Sequence, residues 1–127
     1  MIKPMITQIF QSVGATLNPE SPPLISCQKH LDMNVVRNKM AHFQVFVVRV
    51  HDVELRGKRY WLVVDGHHNL AAALLSGKPI KWKEPPRKYQ NIMKKYTASE
   101  LEHFLIQNVT DSPHFYVATG RTVMELL

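Results

Sequence analysis

Positions 65–69 read Asp65-Gly66-His67-His68-Asn69, an acid, a turn-forming glycine and two adjacent imidazoles within five residues. Imidazoles titrate near neutrality, so the pair can supply hydrogen-bond donors, a general base or metal ligands. The flanks say how they would be held. Trp61-Leu62-Val63-Val64 reads as a buried strand, and Leu70-Ala71-Ala72-Ala73-Leu74-Leu75 as a helix with small residues on its first turn. At such a junction Gly66 lets the backbone turn and approach a ligand closely. The helix behind it presents unpaired N–H groups and its positive dipole end, which suits an anion such as phosphate. Gly66, His67, His68 and Asn69 are therefore the candidate phosphate-binding residues, with His67 and His68 also candidates for proton transfer. Asp65 could orient His67 or take a metal ion, or equally cap the following helix.

A second group of charges lies just downstream. Lys78, Lys81, Lys83, Arg87, Lys88, Lys94 and Lys95 face a single acid, Glu84, over residues 78–95. Trp82, Tyr89 and Tyr96 are interleaved with them, an arrangement in which rings stack on bases while cations meet phosphates. Lys81, Lys83, Arg87 and Lys88 are the candidate nucleic-acid contacts. The competing explanation is a solvated loop and helix face whose aromatics anchor it to the core. Both stay open, as does a plain hairpin turn at Asp65-Gly66, although the alanine-rich helix behind it argues against a second hairpin strand. Adjacent histidines point apart, and no regularly spaced acids or histidines complete a ligand set, so no metal site is assigned. The downstream Asn and His spacing of an HNH-type nuclease is not evident. His30, His42, His51, His103 and His114 are scattered and read as structural or surface groups; Asp52 is a further candidate acid, and Glu54 reads as solvent-exposed.

The elements that would position these groups can be traced along the chain. Helical spacing of Met5, Ile6, Ile9, Phe10 and Val13 predicts a short helix, with Pro4 in its first turn and Gly14 at its stop. Three prolines within residues 18–23 predict an extended loop. A second, less regular helical pattern covers residues 28–41. Residues 43–50 and 60–64 are rich in β-branched and aromatic side chains and predict two strands, paired as a hairpin through Arg56-Gly57-Lys58. The helix after the histidines should end at Ser76-Gly77, followed by a short edge strand over residues 79–82. Thr97-Ala98-Ser99-Glu100 matches a capping box, with Leu101, Phe104, Leu105 and Val109 on one face behind it. Residues 115–118 predict a final strand broken at Gly120.

The whole is an α/β (α+β) domain, a small mixed sheet flanked by helices, and 127 residues predict one domain over 1–127. Hydrophobic residues make up 45% of the chain, enough for an ordinary core and against global disorder. The net charge of +6 favours an anionic partner. One cysteine, Cys27, excludes an internal disulfide and a cysteine-rich zinc site. With no signal-peptide pattern and no run near the ~20 apolar residues of a membrane span, the expectation is a cytoplasmic protein without membrane contact. Its oligomeric state is not legible.

The segment from Trp61 to Leu75 resembles the central motif of the ParB/sulfiredoxin superfamily, where a strand ending in Asp-Gly-His-His-Arg, Gly-Glu-Arg-Arg or Gly-Cys-His-Arg precedes an alanine-rich helix. The surrounding order of proline loop, helix, strand, hairpin, motif and helix is also similar, over roughly residues 17–83. The resemblance implies a turn that contacts nucleotide or nucleic-acid phosphates, in a family of CTP-hydrolysing partition proteins, nuclease-like proteins, sulfiredoxins and an ADP-dependent serine kinase. It also implies that Glu20, in the proline loop, approaches the phosphate site as a catalytic acid. A nuclease or nucleotide hydrolase is the enzyme it implies, with a nucleotide and a divalent metal ion as the candidate cofactor. Asn69 stands where the Asp-Gly-His-His form has arginine, which removes a permanent charge and a bidentate donor. His67 occupies the position of the sulfiredoxin cysteine, so that chemistry is not expected. The length leaves no room for both the helix-turn-helix and dimerisation parts of a partition protein. The alternative is a non-catalytic DNA- or protein-binding regulatory module, of plasmid or phage function, that keeps the fold without turnover.

Overall fold

A computed structural model describes residues 6–12 and 21–127. The chain runs α1 (Ile6–Ser12), β1 (Leu24–Ser26), α2 (Met33–His42), β2 (Phe46–Leu55), β3 (Lys58–Asp65), α3 (His67–Ser76), β4 (Ile80–Lys83), α4 (Arg87–Met93), α5 (Ala98–Gln107), β5 (Phe115–Tyr116) and a closing 3₁₀ turn (Met124–Leu126). The strands form one mixed sheet in the order β4-β2-β3-β1-β5. Its spine is the β2–β3 hairpin, closed by Arg56 and Gly57, both with positive φ. Strand β4 lies parallel to β2 at one edge; β1 lies parallel to β3, and β5 antiparallel to β1, at the other.

Both faces of this sheet are covered, which is why Trp61-Leu62-Val63-Val64 is apolar throughout instead of alternating with polar residues. Leu24, Phe46, Val48, Val50 and Val63 pack beneath α1, α2 and α3, and the buried Leu70, Ala71, Ala72 and Ala73 bring α3 close to the sheet. Ile25, Val53, Leu55, Tyr60 and Leu62 face the other way, against Leu105 and Ile106 of α5 and against Val123 and Leu126. No helix among the described residues is long and apolar enough to cross a membrane.

Several boundaries differ from those expected. Helix α2 starts at Met33 because Asp32 caps it, its side chain accepting from the Asn34 N–H at 2.9 Å. Strand β2 starts at Phe46 and extends to Leu55, leaving Phe43 and Val45 exposed. The final strand holds only Phe115 and Tyr116, since the chain turns back at Gly120 and Thr122 bridges to Phe115. Val109 lies beyond the end of α5 and is exposed. Strand β1 and helix α4 have no counterpart in the elements expected from sequence. The capping box is present, with Thr97 accepting from the Glu100 N–H at 3.2 Å and Glu100 from the Thr97 N–H at 2.9 Å. Pro4, Gly14, the Asn18-Pro19 loop and Glu20 lie outside the described residues.

Candidate functional site

Strand β3 ends at Asp65, Gly66 turns the chain with φ 97° and ψ 27°, and α3 begins at His67. A Cβ on Gly66 would meet the Val47 carbonyl oxygen at 2.8 Å and the Val48 Cα at 3.1 Å. The glycine is therefore required by the backbone of β2 as well as by its own torsion. Among the described residues no side chain caps α3, and the first-turn N–H groups of His67, His68 and Asn69 lack intrahelical acceptors and point out of the helix end.

Those groups open onto a cleft of ≈ 330 Å³ lined by Gln28, Lys39, Val64, Asp65, Gly66, His67, His68 and Asn69. Apart from Val64 and Gly66 the lining side chains are all polar or charged. Lys39 reaches the cleft from α2 while its ammonium also sits 5.6 Å from the centre of the Phe43 ring. Lys39 and Gln28 were not singled out from sequence. Neither carries a local motif, and both reach the cleft only through the packing of α2 and of the segment after β1 against the start of α3.

The two imidazoles share the cleft but have different partners. Partly buried His67 has its Nε2 2.7 Å from the Oγ of Ser26, a residue with 0% exposure at the end of β1. Burial, followed by the neighbouring His68, holds the His67 pKa down to about 4, against a smaller upward pull from Asp111 and Asp65. His68 turns toward α2, where its Nε2 accepts the backbone N–H of Asp32 at 3.1 Å. Burial lowers its pKa as well, with Asp32 opposing and Lys39 reinforcing the shift. Asn69 donates its side-chain N–H to the Val47 carbonyl at 2.8 Å, tying α3 to β2 and leaving its amide oxygen. Asp65 is an exposed carboxylate at the mouth. Among the described residues no three His, Cys, Asp or Glu side chains gather closely enough to hold a metal ion.

The basic stretch forms a separate surface. Lys81 and Lys83 alternate outward on edge strand β4, and Arg87 and Lys88 are exposed at the start of α4. Its aromatic rings are occupied internally. Trp82 packs against Trp61 at 5.6 Å, Tyr96 stacks on Phe104 at 5.3 Å, and the Tyr89 hydroxyl lies 3.0 Å from His51 Nδ1. These rings anchor the stretch to the sheet and to α5. Lys78 donates to the Met40 and Phe43 carbonyls at the end of α2, so it is a helix cap. His51 and Tyr89 also line a second cleft of ≈ 380 Å³ between β2 and α4. There burial lowers the His51 pKa and raises that of Tyr89 to about 12, keeping both neutral.

Comparison with protein-family models, with curated proteins and with solved structures finds no match.

Proposed function

We propose that this protein binds the phosphate of a nucleotide or nucleic acid at the start of α3, as a phosphate-handling domain of the ParB/sulfiredoxin type. The observation that carries the reading is the polar cleft at the N-terminus of α3, uncapped by any described side chain, where outward N–H groups meet two imidazoles and Lys39. A helix N-terminus favours negative charge through its dipole and its unpaired donors together, and Lys39 supplies a full positive charge that Asn69 lacks. In a nuclease or nucleotide hydrolase acting here, Asp65 is the carboxylate at hand for a proton or a divalent metal ion. The Asn69 amide committed to Val47 favours the second reading, a regulatory module that binds DNA or protein and does not turn over.

The test is thermal denaturation with CTP, ATP or ADP, with and without magnesium. A ligand that binds only the folded state raises its stability by about 2.7 kcal/mol at a hundredfold excess over Kd. Lys39→Ala and His68→Ala are each expected to weaken nucleotide binding about tenfold, the equivalent of about 1.4 kcal/mol. If no nucleotide shifts the transition while a DNA duplex binds, the regulatory reading takes its place.

Lys81, Lys83, Arg87 and Lys88 would guide a polyanion to the cleft. Reversing all four charges is expected to weaken binding of single- or double-stranded nucleic acid strongly and to flatten the salt dependence of what remains, because each lost phosphate contact removes counterion release. Binding titrations of the two proteins at 50 and 200 mM salt check this. Unchanged affinity would mean that the four cations are a solvated face.

A further inference from the structure

We infer that Ser26 and the Asp32 amide act as positioning groups that hold both cleft imidazoles in the neutral Nδ1–H form, so that the pair offers a phosphate ester two uncharged N–H donors and no general base. This deepens the phosphate-binding reading and rests on it for the identity of the ligand. For His68 a single bond decides the tautomer. A backbone N–H can only donate, and the Asp32 N–H points at Nε2 from 3.1 Å. Nε2 must then carry its lone pair, which excludes both the imidazolium and the Nε2–H tautomer and leaves the proton on Nδ1.

For His67 the same result follows from the bonds at Ser26. The Ser26 Oγ already accepts the Gln28 N–H at 3.0 Å and has one proton of its own to place. Among the described residues the two acceptors in reach are His67 Nε2 at 2.7 Å and the Gln28 carbonyl at 3.5 Å, the latter at the limit of a hydrogen bond. Donation to Nε2 satisfies the buried hydroxyl well. The reverse arrangement leaves its proton on the long contact, at a residue with 0% exposure where an unsatisfied polar group is costly. Nε2 therefore accepts, and Nδ1 carries the hydrogen.

The consequence is chemical. The basic lone pair of each ring is already engaged by a donor of the protein, so neither ring can take a proton from water or a hydroxyl without breaking the bond that holds it. What remains on each ring is the donor N–H at Nδ1, on a residue that lines the cleft at the start of α3. Such a site binds an oxyanion and leaves any base catalysis to another group.

The tautomers can be read without any ligand, from two-bond ¹H–¹⁵N correlation spectra of protein with ¹⁵N-labelled histidine rings at pH 7.5. The His67 and His68 signals are assigned from the His67→Ala and His68→Ala spectra. Both rings are expected to show protonated Nδ1 and bare Nε2, and an Nε2–H on either ring overturns the inference for that histidine. In Ser26→Ala the His67 ring should move toward the Nε2–H form while His68 stays as it was, and Ser26→Thr should restore it. A His67 tautomer unchanged in folded Ser26→Ala would remove Ser26 from the role, and if that variant does not fold, the wild-type spectrum still decides the tautomers. With inorganic pyrophosphate as probe, Ser26→Ala should bind about fivefold more weakly, and unaltered affinity counts against positioning. Failure of the wild-type protein to bind any phosphate probe would overturn the phosphate reading alone, because the ring spectra stand apart from it.

Discussion

Replacing Gly66 with alanine is expected to destabilise the protein by about 3 kcal/mol, a loss of roughly 12 °C in melting temperature for a chain of this size. Two costs combine. The left-handed torsion at φ 97° costs an L-residue about 1–2 kcal/mol, and the new methyl group would meet the Val47 oxygen and the Val48 Cα, which are backbone atoms with little freedom to move. Gly77 is the control. It is also left-handed, at φ 68°, but a Cβ there meets nothing within 4 Å, so Gly77→Ala should cost only about 1 kcal/mol. Chemical denaturation of both variants reads the difference. Equal losses would show that β2 does not press on the turn.

Acidification should destabilise the protein through His67. In the unfolded chain this ring titrates near 6.5, whereas in the fold burial holds it at about 4. Between those values the unfolded chain binds more protons than the native one, so stability rises with pH across that window. The contribution is fully present above 6.5, is lost as pH falls from there to about 4, and changes no further once the native ring protonates. A gap of that size amounts to about 3 kcal/mol. His68, His51 and His114 are lowered in the same direction, chiefly by burial. His114 is 2% exposed and neither ring nitrogen has a hydrogen-bond partner among the described residues, so its protonation is opposed as well. Urea midpoints at pH 7.5, 5.5 and 4 for the wild type and for His67→Gln check the assignment. The variant should show a shallower pH dependence by about the His67 contribution, and a wild-type curve flat between pH 7.5 and 4 would contradict the burial of this ring.

The same two sites mark where sequence reasoning reaches and where it stops. The hairpin at Arg56-Gly57, the passage from Asp65 through Gly66 into α3, the left-handed Gly77 stop and the Thr97–Glu100 capping box were all legible. Each is written within a few consecutive residues, by torsional preference, by hydrogen bonding to the nearest backbone or by the change of apolar period from strand to helix. The class of fold, a mixed sheet flanked by helices, follows from those elements in order.

What the tertiary structure decided lies at longer range. Strand β1 has three residues, too few to display a period, and it is a strand only because β3 offers it a parallel partner. That pairing sets Ser26 beside His67, 41 positions away, just as the seat of α2 on α3 sets the Asp32 N–H against His68 and brings Lys39 to the cleft. The partners of Trp82, Tyr89 and Tyr96 were equally out of reach, since a ring that stacks on a core neighbour has the same local sequence as one that waits for a base. The histidine pair by itself determined that imidazole chemistry stands at a helix start. Which nitrogen of each ring carries the proton was decided by donors that only the folded chain brings within 3.1 Å, because a hydrogen bond is specified by position in space and leaves no mark in the spacing of residues along the chain.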